Sequence, residues 1–176
     1  MLCTGVYMFE VGQYIVKANT GVCRVVDITM YSRSEEEEER ECYLLSPYSN
    51  ENARLFVPVE SDKSNMRPIM TKAEAMDLLK MVPQIHAAVI ASEKVREQEY
   101  KDAIKSNDPV SLVSIIKNLN IRNREREEQG KKSTAVDERY LSMAQAALYP
   151  ELATALGKEM AEMMNILSEM QEQWYL

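Results

Sequence analysis

The residues able to do chemistry in this 176-residue chain are few and scattered. Its single histidine, His86, stands in the apolar stretch Ile85-His86-Ala87-Ala88-Val89. A general base or a metal ligand needs partners at defined spacing, and no cysteine or carboxylate cluster accompanies it. His86 therefore reads as a packed or surface residue without chemistry. Residues 35–39 are five consecutive glutamates. They would hold a cation weakly, and a like-charged run of this length repels itself, so a solvated hairpin loop is the simpler reading. Cys3, Cys23 and Cys42 are odd in number and form no CxxC pair, which fits reduced thiols in a cytosol rather than a disulfide framework. There is no GxGxxG, no Walker loop and no HExxH. Five glycines leave little material for a phosphate-cradling loop. The expectation is a protein with no catalytic residues, no metal and no cofactor.

The most informative chemistry is electrostatic. The whole chain carries a formal charge of −7, so it has no bulk attraction for nucleic acid. Residues 117–132 are the exception. Lys117, Arg122, Arg124, Arg126, Lys131 and Lys132 stand against Glu125, Glu127 and Glu128. A net-positive helix end followed by a basic turn can meet a DNA backbone, because phosphate contacts are made largely by such side chains. An ordinary charged helix surface with internal ion pairs explains the same residues equally well.

The elements that position these residues fall into two halves. Residues 9–59 hold β-branched and aromatic runs separated by turn residues. Short strands are expected at residues 14–17, 22–30, 42–45 and 54–57, with turns at Asn19-Thr20-Gly21 and Ser49-Asn50-Glu51-Asn52. Four or five short strands in about 50 residues suit a small closed SH3- or Tudor-like barrel. Leu55-Phe56-Val57 reads either as barrel core or as an edge strand open to a partner's sheet. The turn-rich stretch at residues 61–65 places the boundary near residues 61–68, between a β domain, 1–65, and a helical domain, 66–176.

About five helices are expected in the second half. Thr71 and Glu74 form a capping-box pattern. Pro83 ends that helix, and a second runs from Ser92 to Ser106. Asp108-Pro109 is an N-cap followed by proline at the first helical position. The third helix stops near Gly130. Thr134 with Asp137 caps a fourth, and Pro150 is read as its end. Leu152, Leu156, Met160, Met163, Leu167, Met170 and Trp174 then form the stripe of a last helix, more simply core than a partner-binding face. The fold class expected is thus α+β, a small β-barrel followed by an all-α domain. No apolar run approaches the roughly 18 residues of a membrane helix, and residues 1–8 lack the pattern of a signal peptide.

Taken in order, these motifs resemble the CarD/CdnL family of bacterial RNA polymerase-binding transcription regulators. Phe9-Glu10-Val11-Gly12-Gln13-Tyr14-Ile15-Val16 is similar to the family's opening strand. Gly21-Val22-Cys23-Arg24-Val25-Val26-Asp27-Ile28 resembles the next, and Tyr43-Leu44-Leu45 and Leu55-Phe56-Val57-Pro58 the two after it. Ser106-Asn107-Asp108 resembles the family's Ser-Gly-Asp turn, followed by a similar helix at residues 112–119. The resemblance implies a Tudor-like module that binds the polymerase β subunit through sheet-edge contacts. It also implies a helical domain beside promoter DNA that modulates open-complex stability. By position, the polymerase contacts fall near Tyr31 and on Arg54, Leu55 and Phe56, and a groove-facing position falls on Asn120; the candidate phosphate contacts are Lys117, Arg122, Arg124, Lys131 and Lys132 of the basic stretch. Three residues depart from the pattern. The turn before Gly21 lacks the family's proline. Asn120 stands where some members carry a tryptophan that wedges into the minor groove, and asparagine can hydrogen-bond there but cannot unstack a base step. Phe56 stands where some members carry a polymerase-contacting arginine. The alternative reading is a polymerase- or protein-binding adaptor without direct DNA contact.

Overall fold

The computed structural model describes residues 8–34, 36–60 and 65–172. Cys3 and the leader reading of residues 1–7, Glu35 of the acidic run, residues 61–64 of the expected boundary, and Trp174 lie outside the described residues. The chain divides into two compact units, Met1–Ile69 and Met70–Leu176.

The first unit is an antiparallel sheet of β1 (Tyr14–Lys17), β2 (Gly21–Tyr31), β3 (Arg40–Pro47), β4 (Leu55–Pro58) and β5 (Met66–Pro68), in the order β4-β3-β2-β1-β5. This is the small β unit expected from the sequence. Among the described residues no ladder joins β4 to β5, so the sheet is open rather than a closed barrel. Asn19 (φ 62°) and Gly21 (φ 85°) take the left-handed conformations of the β1–β2 turn, which forms without proline. A register shift between Val25 and Asp27 bulges β2 against β3, the device by which a short sheet gains twist. Phe9, Ile15, Cys23, Val25, Tyr43, Leu45 and Met66 form the core. The Tyr43 hydroxyl accepts from the Met8 and Phe9 amides at 3.0 and 3.3 Å. The boundary expected after residue 65 falls too early. Met66 is a core residue, β5 pairs with β1, and the Ile69 amide donates to the Tyr14 carbonyl.

The second unit comprises α1 (Lys72–Met81), a 3-10 turn (Val82–Gln84), α2 (Glu93–Ser106), α3 (Pro109–Glu128), α4 (Ala135–Leu156) and α5 (Met160–Glu172). Both capping-box bonds between Thr71 and Glu74 are made, and Asp108 caps α3 by accepting from Ser111 N. Pro150 does not end α4. The helix runs through it to Gly157, whose left-handed φ of 64° closes the last turn. Proline removes one N–H from the helix interior, but Leu148, Tyr149, Leu152 and Ala153 are buried on either side of it, so continuing the helix retains more than the missing bond forfeits. The stripe assigned to one last helix is accordingly divided. Leu152 and Leu156 belong to α4; Met160, Met163, Leu167 and Met170 belong to α5 and pack on the helical core. No helix among the described residues is long and apolar enough to cross a membrane.

Candidate functional site

In the β unit, Tyr31 ends β2 and Phe56 lies in β4, two strands away. Their rings stack with centroids 3.8 Å apart and planes within 7° of parallel, and Phe56 remains 37% exposed. They floor an open depression of about 380 Å³ together with Cys42 and Pro58, and Arg33, Arg40, Glu37 and Glu38 rim it. Among the described residues β4 pairs with β3 alone, so it is a sheet edge. The Val59 amide donates to the Glu41 carbonyl. Antiparallel bonding alternates residue by residue, so Val57 and Leu55 also face β3, and Phe56 directs its N–H and C=O to the open side. Leu55 is half-buried against the sheet core. Arg54 is exposed and braces the β3–β4 turn, its Nη1 donating to Ser46 Oγ at 3.3 Å and the Ala53 carbonyl at 2.8 Å. The structure thus brings Tyr31 and Phe56 together, whereas Leu55 packs on the sheet core and Arg54 lies in the β3–β4 turn. Burial pushes the Cys23 thiol up to about 11 and raises Cys42 as well, away from the thiolate a nucleophile needs.

The basic stretch of the helical unit does not form one face. Lys117 turns into the core, where its Nζ donates to the Val82 and Ile85 carbonyls at 2.5 and 2.8 Å and satisfies the end of the 3-10 turn. Burial pulls its pKa down. The expectation that Lys117 faces DNA is therefore corrected: it is a core fastener. Arg122 is drawn into an ion cluster. Its Nε lies 3.0 Å from Asp137 Oδ2 and its Nη1 2.8 Å from Glu93 Oε1. Burial works against the Arg122 charge, but the bond to Asp137 and the charges of Asp137 and Glu93 outweigh it and raise its pKa. Asp137 is fully buried. Arg96 approaches it at 3.5 Å, and the Tyr100 hydroxyl lies between Asn118 and Asp137. Asn120 is half-buried and returns its Nδ2 to the Ile116 carbonyl of its own helix at 2.9 Å.

Three of the six residues stay on the surface near one another in sequence. Arg124 pairs with Glu128 at 3.3 Å, Lys131 donates to Gln129 Oε1, and Lys132 is exposed while its carbonyl accepts from Arg126 Nε. The turn that ends α3 after Arg124 is a Schellman motif: Lys131 N bonds to the Arg126 carbonyl and Gly130 N to the Glu127 carbonyl, with Gly130 left-handed at φ 69°. Sequence reasoning missed the Asp137 cluster because an aspartate three residues after a threonine looks like a cap. Thr134 does cap Asp137 N, but the carboxylate turns inward. Arg96, at helical spacing from Glu93 and Tyr100 on α2, is its local trace in the sequence; Arg122 and Asp137 come from other helices. His86 is exposed, and its carbonyl accepts from Ser114 Oγ. Among the described residues no group of three or more histidines, cysteines or carboxylates could hold a metal.

Residues 9–70 match the CarD-like/TRCF RID domain, and residues 76–168 match the CarD C-terminal domain. Among curated proteins, none matches the chain.

Proposed function

The chain belongs to the CarD family of RNA polymerase-interacting, non-catalytic transcription regulators, and from that premise we propose that it binds the polymerase β subunit through its β4 edge and changes the stability of the promoter open complex. The observation that carries the first part is the Tyr31–Phe56 stack beside the outward-facing backbone of Phe56. An open edge accepts a partner strand by main-chain hydrogen bonds, and a rigid aromatic pair supplies the apolar anchor. Phe56 takes the place of a charged contact, so affinity here rests on burial more than on ion pairing. The test is retention of the purified β subunit by the immobilised full chain. Binding at micromolar concentration that is lost in Phe56→Asp supports the reading, and no binding by the unmodified chain overturns it.

The DNA part rests on Arg124, Lys131 and Lys132, which can meet phosphates without reading bases. The adaptor reading has its own support: Lys117 and Arg122 are engaged inside the unit, and Asn120 bonds its own helix. The salt dependence of promoter-complex lifetime separates the two. DNA contact gives a slope that falls when the three exposed cations are removed; an adaptor gives no change.

A further inference from the structure

The helical unit also carries a face of opposite character to the basic turn. An open groove of about 600 Å³ runs between the C-terminal half of α2, the N-terminal half of α3 and the extended segment 85–88. Ile85, Ala103, Val110 and Ile115 line its apolar part, and Glu99 and Asp102 are the only charged residues that line it among the described residues. The segment is held in place by Ala88 N donating to the Ser114 carbonyl at 3.0 Å and by the Ser114 Oγ bond to the His86 carbonyl at 2.8 Å. Val110 remains 41% exposed there, and the neighbouring Val89 is 96% exposed.

The charges of α2 are sorted around its axis. At about 100° per residue, Glu99, Asp102 and Ser106 share the groove side with the exposed Val95. Lys94, Lys101 and Lys105 cluster on another face about a third of a turn away, and Lys101 pairs there with Glu97 at 3.2 Å. The groove therefore joins apolar surface to negative charge, with no lysine or arginine among the described residues that line it. Such a surface repels a phosphate backbone and complements an apolar segment that carries positive charge.

We infer that this groove docks an amphipathic polypeptide segment bearing a lysine or arginine beside its apolar residues, presented by the polymerase complex. The inference rests on the reading that the chain binds polymerase, and it assigns the helical unit a protein contact separate from the basic turn.

The test places the photo-crosslinker p-benzoylphenylalanine at Val110 in the full chain, assembled with polymerase holoenzyme on promoter DNA. The expected product is a crosslink to a polymerase polypeptide at a segment containing apolar residues and a lysine or arginine. Combining Glu99→Lys with Asp102→Lys lowers its yield about tenfold, as like charges across an interface require, while the circular dichroism spectrum and the co-migration with polymerase through the β unit are unchanged. A crosslink to DNA, a yield indifferent to the charge reversal, or no crosslink within an assembled complex overturns the inference. Failure of the complex to assemble, read from co-migration alone, overturns instead the polymerase-binding reading and this inference with it.

Discussion

Arg122 Nε stands 3.0 Å from Asp137 Oδ2, and Asp137 is wholly buried. The pair ties α3 to the first turn of α4, and through Glu93 and Arg96 both helices are tied to the start of α2. A buried carboxylate is tolerated only with such partners, because its desolvation must be offset by charge and hydrogen bonds. A residue that looks like a DNA-facing cation is thus a structural one.

Breaking the pair from one side should be costly. Arg122→Ala leaves Asp137 buried with less compensation, and a loss of about 3 to 5 kcal/mol is expected on that mechanism. Denaturant unfolding monitored by circular dichroism measures it. A change below about 0.5 kcal/mol, the scale of an ordinary surface substitution, would refute the role. Arg124→Ala serves as the surface comparison, since Arg124 lies on the same helix but pairs with the exposed Glu128 rather than with the buried carboxylate.

Alkaline pH should destabilise the fold through Tyr100 and Cys23. Burial, and after it the charge of Asp137, push the Tyr100 phenol from 10.0 up to about 12. Burial pushes the Cys23 thiol from 9.0 up to about 11. In both, the folded state keeps a proton that the unfolded state gives up, so the folded state binds more protons and stability falls as pH rises. The contribution is intact below the unfolded pKa of each group and is lost over pH 9 to 11 for Cys23 and pH 10 to 12 for Tyr100. Tyr100→Phe should flatten the upper part of the alkaline decline in unfolding free energy, and Cys23→Ala the lower part. Unchanged pH profiles in both variants would refute the assignment.

The small β unit and the five helices were legible because their signals are local. Thr71 and Glu74, Asp108 and Pro109, and Asn19 with Gly21 each act within a few residues, and each does in the structure what its type suggests. What was not legible depends on burial decided at long range. Pro150 is a helix breaker by its own chemistry, yet flanking core residues carry α4 through it. Met66 follows a polar run, yet β1 recruits it into the sheet. Lys117 and Arg122 have the composition of a basic patch, but their partners Val82, Ile85, Glu93 and Asp137 lie 15 to 35 positions away in sequence. The Tyr31–Phe56 stack, 25 positions apart, is of the same kind: each residue was singled out, but their juxtaposition depends on strand order.

The stack gives a prediction about binding that separates apolar anchoring from charge. Phe56→Leu keeps apolar area but loses the ring, and Phe56→Arg replaces the ring with a charge. If β-subunit binding rests on the aromatic pair, Phe56→Leu should weaken it by roughly 0.5 to 1.5 kcal/mol, the increment attached to an aromatic pair beyond its area. The affinity of the unmodified chain should also change little between low and moderate salt, whereas that of Phe56→Arg should fall with salt. Calorimetric titration at two ionic strengths measures both. A steep salt dependence in the unmodified chain would show that the anchor is ionic.

The basic turn yields the last prediction, with Lys117 as its internal control. Replacing Arg124, Lys131 and Lys132 by alanine removes three exposed cations from the end of α3 and the Schellman turn that follows, whose backbone bonds do not involve their side chains. Stability should therefore change little. If these cations meet phosphates, the slope of log K against log salt for promoter-complex formation should become shallower by about 0.9 for each phosphate they neutralise. Lys117→Met does the opposite. It removes the Lys117 donor from the Ile85 carbonyl and from the Val82 carbonyl, which keeps only the Ile85 amide, so it should lower stability by about 1 to 3 kcal/mol, the penalty of an unsatisfied buried polar group, and leave the slope untouched. A slope reduced equally by both variants would mean that it reports folding rather than DNA binding. A slope changed by neither would make the helical unit a purely protein-facing part of the molecule.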